Sequence, residues 1–107
     1  MEIKAINIKQ KNYNDEEDFF LSCEVFIGPE NQSYVYEAYD FNVISIKRLY
    51  DTFEENGIML NKGWMITKYY NEREVREKIS LIIKNCISKS DEDTYLKIGS
   101  YLRIQES

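Results

Sequence analysis

The stretch Phe19-Phe20-Leu21-Ser22-Cys23-Glu24-Val25-Phe26-Ile27, closed by Gly28-Pro29-Glu30-Asn31, decides the fold. Phe19, Leu21, Cys23, Val25 and Ile27 occupy alternate positions, so a pleated strand turns all five to one face. Ser22 and Glu24 go to the other face, with Phe20 and Phe26 at its two ends. The glycine and proline stop the strand, because proline cannot donate to a ladder and glycine tolerates a tight turn. The chain then returns from Ser33 to Ile44, with Tyr39, Phe41 and Val43 on one side and Asp40 and Asn42 on the other. Two neighbouring arms with apolar faces pair as a hairpin. A lone hairpin is only marginally stable, so the remaining elements must cover it.

Toward the N-terminus, Ile3 to Lys9 reads as a first strand. Ile3 and Ala5 fall on one face while Ile6 and Ile8 fall on the other, which means either a bulge or burial on both sides. Lys9 to Asp18 reads as a loop ending in Asp15-Glu16-Glu17-Asp18. That run lacks the alternating ligands, central glycine and distal glutamate of an EF-hand. It is a solvated loop or an acidic contact patch.

Toward the C-terminus, Ser45 is a natural N-cap for a helix that carries Ile46, Leu49, Tyr50 and Phe53 on one stripe and stops at Asn56-Gly57. Its other face holds Asp51, Glu54 and Glu55, either as ordinary solvated charge or as a recognition surface. Gly63 to Lys68 gives a short fourth strand, and a right-handed crossover through the helix would lay it parallel to the third. Asn71 and Glu74 form a capping box ahead of a helix whose apolar stripe is Val75, Ile79, Ile82, Ile83, Cys86 and Ile87. A last helix follows Ser90, with Asp91, Glu92 and Asp93 complementing its dipole and Tyr95, Ile98 and Leu102 at helical spacing. Gly99 interrupts that helix, as a close approach to the preceding helix would require. Gln105-Glu106-Ser107 is expected to fray.

The expected fold is therefore α+β over residues 1–107, one domain. It is a mainly antiparallel four-stranded sheet in the order β-β-β-α-β-α-α, with helices packed on it. At 107 residues such a chain buries roughly two-thirds of the surface it exposes when unfolded.

Composition narrows the function. No run approaches the ~20 apolar residues that span a bilayer, and the N-terminus has no signal-peptide pattern. Cys23 and Cys86 lie on core-facing stripes, which suits buried free thiols of a cytoplasmic protein better than the alternative, a disulfide in an exported one. Nineteen acidic residues against fourteen basic ones give a net charge of −5, which disfavours nucleic acid or an anionic membrane as partner and suits a basic protein. The chain has no histidine, so a Ser-His or Cys-His nucleophile pair cannot be built and the commonest metal ligand is missing. Neither a phosphate-binding glycine loop nor a Cys-x-x-Cys pair is present. The expectation is a protein that is no enzyme and carries no cofactor.

Nine tyrosines stand out. Tyr34 and Tyr36 share the face of Asp40, opposite the core side, where tyrosine offers a large semi-rigid contact with a polar tip. A helix covering those rings as a second layer is the alternative.

These segments, in this order, resemble the immunity-protein family eight of bacterial polymorphic toxin systems, the group that includes contact-dependent growth inhibition. The likeness includes Phe26-Ile27-Gly28-Pro29, Phe41-Asn42-Val43, Lys47 and Leu49 early in a helix, and the strand Gly63 to Ile66. It continues through the helix holding Cys86, then Asp93-Thr94-Tyr95, Ile98, Leu102, Arg103 and Ile104. The chain departs from the family pattern at Ser45-Ile46, where Thr-Pro is usual, at Arg48 and Tyr95, where Trp is usual, and in its short tail. The resemblance implies a cytoplasmic protein that binds one cognate toxin domain, by charge a basic nuclease, and occludes its active site or substrate-binding surface. Surface chemistry places the contact on Tyr34, Tyr36, Asp40, Asp51, Glu54 and Glu55, with Asp15, Glu16, Glu17 and Asp18 as a second contributor. The competing class is a non-enzymatic structural or regulatory subunit of a larger assembly.

Overall fold

A computed structural model describes residues 1–106, the side chains of residues 54–56 excepted. Its elements are β1 (Glu2–Asp15), β2 (Asp18–Gly28), β3 (Glu37–Ser45), α1 (Ile46–Asn56), β4 (Trp64–Thr67), α2 (Glu72–Cys86), α3 (Asp91–Ile98) and β5 (Arg103–Ile104). β2 is the axis. β1 and β3 flank it antiparallel, β4 runs parallel to β3, and β5 pairs antiparallel with β3. The sheet is mixed and has five strands, one more than the sequence reading gave. The α+β class and the parallel placement of β4 agree with that reading.

The expected loop from Lys9 to Asp18 is instead the second half of β1 and a tight turn. Lys11 lies opposite Leu21, Tyr13 opposite Phe19 and Asp15 opposite Asp18. A polar segment can be a strand when a strong neighbour satisfies its backbone, and the register breaks between Ile3 and Ala5, Ile8 and Gln10, and Tyr13 and Asp15 hide its alternation. The first of these breaks resolves the phase switch in β1: it is a bulge, and it brings Ile3 opposite Ile27 and Ile6 opposite Val25.

β3 begins at Glu37, not Ser33, because two successive turns, Gln32 N to Pro29 O (3.3 Å) and Val35 N to Gln32 O (3.2 Å), occupy the connection. The three expected N-caps are present. Ser45, Asn71 and Ser90 accept from the backbone N–H of Arg48, Glu74 and Asp93, each at 3.1 Å. Gly57 closes α1 at φ 71°.

The core forms where Ile79, Ile82, Ile83 and Cys86 of α2, with Ile98 and Leu102, cover the face carrying Phe19, Leu21, Cys23, Val25, Ile27, Tyr39, Phe41 and Val43. Burying each large side chain contributes about 1.5–3 kcal/mol. Cys23 and Cys86 are free and buried, and burial pushes the Cys23 thiol up to about 11. Ile87 falls outside the stripe as the exposed cap of α2. α1 packs against β2, β3 and β4 near Ile44, which points to the opposite face and is buried there.

The C-terminal segment differs most from expectation. α3 ends at Ile98, and Leu102 is held by its N–H to Ile98 O at 3.0 Å, beyond the helix. Gly99 is the cap rather than an interior residue. A Cβ there would stand 2.8 Å from Ile104 Cδ1, so the close approach is to β5, not to α2. Gln105 does not fray: its N–H donates to Ala38 O at 2.9 Å.

Candidate functional site

The face of the sheet opposite α2 and α3 carries the even-numbered side chains of β2 and β3, and beyond α1 it is open. Its middle is a polar network spanning four strands and the C-terminal segment. Lys9 Nζ donates to Asp40 Oδ1 at 2.6 Å, and Gln105 Nε2 donates to Asp40 Oδ1 (3.1 Å) and Glu24 Oε1 (2.9 Å). Asn7 Nδ2 donates to Glu24 Oε2 at 3.1 Å. Burial works against ionisation of Asp40, but Lys9, Gln105 and Arg103 outweigh it and hold the carboxyl below its usual range. With the Asn42 amide turned so that its oxygen meets donors, it accepts from Trp64 Nε1 (3.0 Å) and Arg103 Nη2 (3.3 Å), and its nitrogen donates to Phe41 O. Arg103 Nη1 also holds Lys62 O at 2.8 Å. Aromatic pairs frame the network, Phe20 edge-on to Trp64 and Phe26 stacked on Tyr36 at 4.7 Å between centroids.

The residues proposed from sequence fall into two groups. Tyr34 and Tyr36 lie on the β2–β3 connection. Tyr34 is 96% exposed, and Tyr36 reaches the open face through its stack on Phe26. Asp15, Glu16, Glu17 and Asp18 form the β1–β2 turn at the other end of β2, about 30 Å away along an 11-residue strand. Asp40 lies between them, paired with Lys9. Asp51 is exposed on α1 beside the second group, and Glu54 and Glu55 lie outside the described side chains.

The turn is built, not floppy. Asp18 accepts from Asn14 Nδ2 (2.9 Å) and Arg48 Nε (2.8 Å), and those two bonds lower its pKa, the Asn14 contribution being the larger. Glu17 N–H donates to Asp15 Oδ1 at 2.8 Å. Glu16 O accepts from Tyr70 N–H at 3.0 Å, which ties the turn to the start of α2. Sequence reasoning missed that tie, and with it the exposed Glu72 and Glu74 beside the turn. Nothing in the pattern joins residue 16 to residue 70; only the strand character of residues 9–15 could have shown it.

Among the described residues, no group of three or more His, Cys, Asp or Glu side chains could hold a metal ion, and no helix is long and apolar enough to cross a membrane.

The architecture is that of a small α+β protein that presents a rigid, polar sheet face flanked by an acidic turn. The chain belongs to the Immunity protein 8 family, whose match covers residues 1–104. Its role is one of immunity, which implies a toxin as partner. Comparison with curated proteins and with solved structures found no match.

Proposed function

We propose that the protein acts in the cytoplasm of a toxin-bearing bacterium, where it binds the C-terminal domain of its cognate toxin and neutralises it without catalysing a reaction. The toxin domain is a basic nuclease, and binding covers its active site or its substrate-binding surface. One observation carries this reading: exposed carboxylates without an ion pair among the described residues stand on and beside the β1–β2 turn. Asp15, Glu16 and Glu17 occupy the β1–β2 turn, the Tyr70–Glu16 hydrogen bond brings Glu72 and Glu74 alongside, and Asp51 faces out from α1. Asp18 and Asp40, in contrast, are neutralised by Arg48 and Lys9 and serve to hold the scaffold.

Opposite charges speed encounter and fix register. A standard interface of about 800 Å² per partner is about 30 Å across, enough to take in the turn, α1 and the adjoining sheet face. Glu54 and Glu55 join the proposed surface from sequence alone. Tyr34 and Tyr36 form a separate patch that such an interface reaches only if it runs the length of the sheet.

The deciding experiment is co-expression with the C-terminal domain of the toxin encoded directly upstream. Cells should survive with this protein and die without it. Equal death in both would end the immunity reading, and survival of a strain carrying any unrelated acidic protein of this size would end the claim of specific binding.

A further inference from the structure

We propose that the cleft between α3 and the β3–β5 pair is a socket for an arginine side chain of a second protein partner, distinct from the toxin domain held at the acidic turn. Three elements build it, and hydrogen bonds lock them together. Tyr39 Oη donates to Tyr95 O at 2.8 Å and ties β3 to α3. Ile104 of β5 lies opposite Tyr39, and Gln105 N–H donates to Ala38 O at 2.9 Å. The cleft holds about 230 Å³ and is lined by Glu37, Tyr39, Glu92, Tyr95, Leu96 and Ile104. Tyr39 is wholly buried, whereas Leu96 and Ile104 remain 61% and 48% exposed, so the fold leaves apolar lining uncovered.

The charge of the cleft is of one sign. Glu37 and Glu92 are the charged side chains that line it, both are exposed, and neither makes an ion pair among the described residues. Burial, with Glu37 acting on Tyr39 and with Asp91 and Glu37 acting on Tyr95, pushes both phenols above their usual value, and no cation among the described residues offsets this. The cations adjoining the lining residues in sequence are engaged elsewhere. Arg103 alternates with Ile104 to the other face of the sheet, where its Nη1 holds Lys62 O at 2.8 Å. The charge of Lys97 acts on the Cys86 thiol of α2.

An arginine side chain matches each part of this site. Its aliphatic stem packs along exposed apolar side chains, its planar guanidinium stacks on tyrosine rings, and its forked donors suit carboxylates. Lysine, a compact and more strongly hydrated charge, matches them less well. The buried Oη of Tyr95 has no hydrogen-bond partner among the described residues, and a guanidinium N–H would supply one.

Position separates this partner from the toxin domain. Glu37 pairs with Ile27 at the far end of β2, about 30 Å along the strand from the acidic turn. The cleft also lies on the side of the sheet that carries α2 and α3. A standard interface, about 30 Å across and centred on the turn, does not reach it.

The probe is a capped peptide with one arginine between glycines, titrated into isotope-labelled protein beside its citrulline counterpart, which keeps the shape and lacks the charge. The amide signals of Glu37, Tyr39, Tyr95, Leu96 and Ile104 should move to saturation with the arginine peptide and stay still with the citrulline one. Glu37→Gln with Glu92→Gln changes two exposed side chains and should leave the thermal midpoint unchanged. It should weaken the arginine response about tenfold or more, as loss of charge-assisted hydrogen bonds does. The two peptides on the wild type decide the matter even if the double variant fails to fold. A response confined to the β1–β2 turn, an equal response to citrulline, or a full response of the folded double variant overturns the socket. The toxin domain encoded directly upstream should leave the cleft signals in place. If it moves them and binds the double variant more weakly, the cleft belongs to the toxin interface and the second partner is overturned. A wild type that takes the arginine peptide at the cleft but gives no protection overturns the immunity reading and leaves the socket standing.

Discussion

Arg48, one turn into α1, donates through Nε to Asp18 Oδ1 at 2.8 Å and through Nη1 to Asn12 Oδ1 at 3.1 Å. One side chain thereby pins the helix to both strands of the β1–β2 hairpin at its turn. Ser45 makes the same junction from the backbone side: its buried Oγ accepts from Phe19 N–H (3.2 Å) and from Arg48 N–H (3.1 Å). Arg48 is thus a cation that clamps the acidic turn in place.

This clamp sets the acid response of the fold. Asp18 and Asp40 both titrate below the usual carboxylate value of 3.8, so each binds protons more weakly folded than unfolded. Their contribution is fully present above the unfolded-state value and is lost as pH falls through the folded one. Urea midpoints should therefore hold steady from neutrality down to about pH 5 and decline below about pH 4. Asp18→Asn should lower the midpoint at neutral pH and flatten the acid limb. An acid limb as steep as that of the wild type would show that Asp18 contributes nothing to it.

Gly28 is demanded by a neighbour rather than by its own dihedrals. A Cβ there would stand 1.9 Å from Val35 O and 3.1 Å from Tyr36 Cα, so the connection between β2 and β3 would have to lift. Gly28→Ala should cost about 1–3 kcal/mol in urea unfolding, the usual range for overpacking. It should also loosen Tyr36 from Phe26, visible as a change in near-ultraviolet circular dichroism. An unperturbed spectrum at wild-type stability would contradict the close approach.

The sequence made β2, β3 and the three caps legible because their signals are local: alternation in a strand, and Ser or Asn ahead of an amphipathic run. The second half of β1 escaped because its strand character is borrowed from β2 and its bulges scramble the period. β5 escaped because a two-residue strand has no period to read. The acidic turn and α1 were both identified as candidate surfaces, but their neighbourhood comes from Arg48–Asp18 and Tyr70–Glu16, contacts between residues 30 and 54 positions apart. Tyr34, placed beside Asp40 by alternation, lies outside β3 because the turns after Pro29 use up the residues that alternation assigned to the strand.

The short C-terminal strand should matter beyond its size. Gln105 closes the polar network through Glu24 and Asp40, Arg103 holds Lys62 O, and Ile104 packs against Gly99. Ending the chain after Leu102 removes these and the backbone bond to Ala38 O, and should cost about 2 kcal/mol or more at about 1 kcal/mol per net hydrogen bond. Removing residues 106 and 107 alone should cost nothing measurable. Equal stability of the two truncations would mean that β5 is not a working part of the sheet.

The acidic end and the tyrosine end can be separated by one pair of variants. Glu16→Lys with Glu17→Lys and Asp51→Lys reverses charge on exposed side chains that make no hydrogen bond or ion pair among the described residues, while Asp15 and Asp18 stay to hold the turn. Its thermal midpoint should match the wild type. Association with the basic domain should slow by about tenfold or more at low salt, and the salt dependence of the rate should largely vanish, since long-range attraction is what speeds encounter. Tyr34→Ala, at the far end and almost wholly exposed, should leave the rate unchanged. If instead the triple reversal associates at the wild-type rate and Tyr34→Ala dissociates faster, the toxin sits on the β2–β3 connection and the acidic turn is only a solvated end of the sheet.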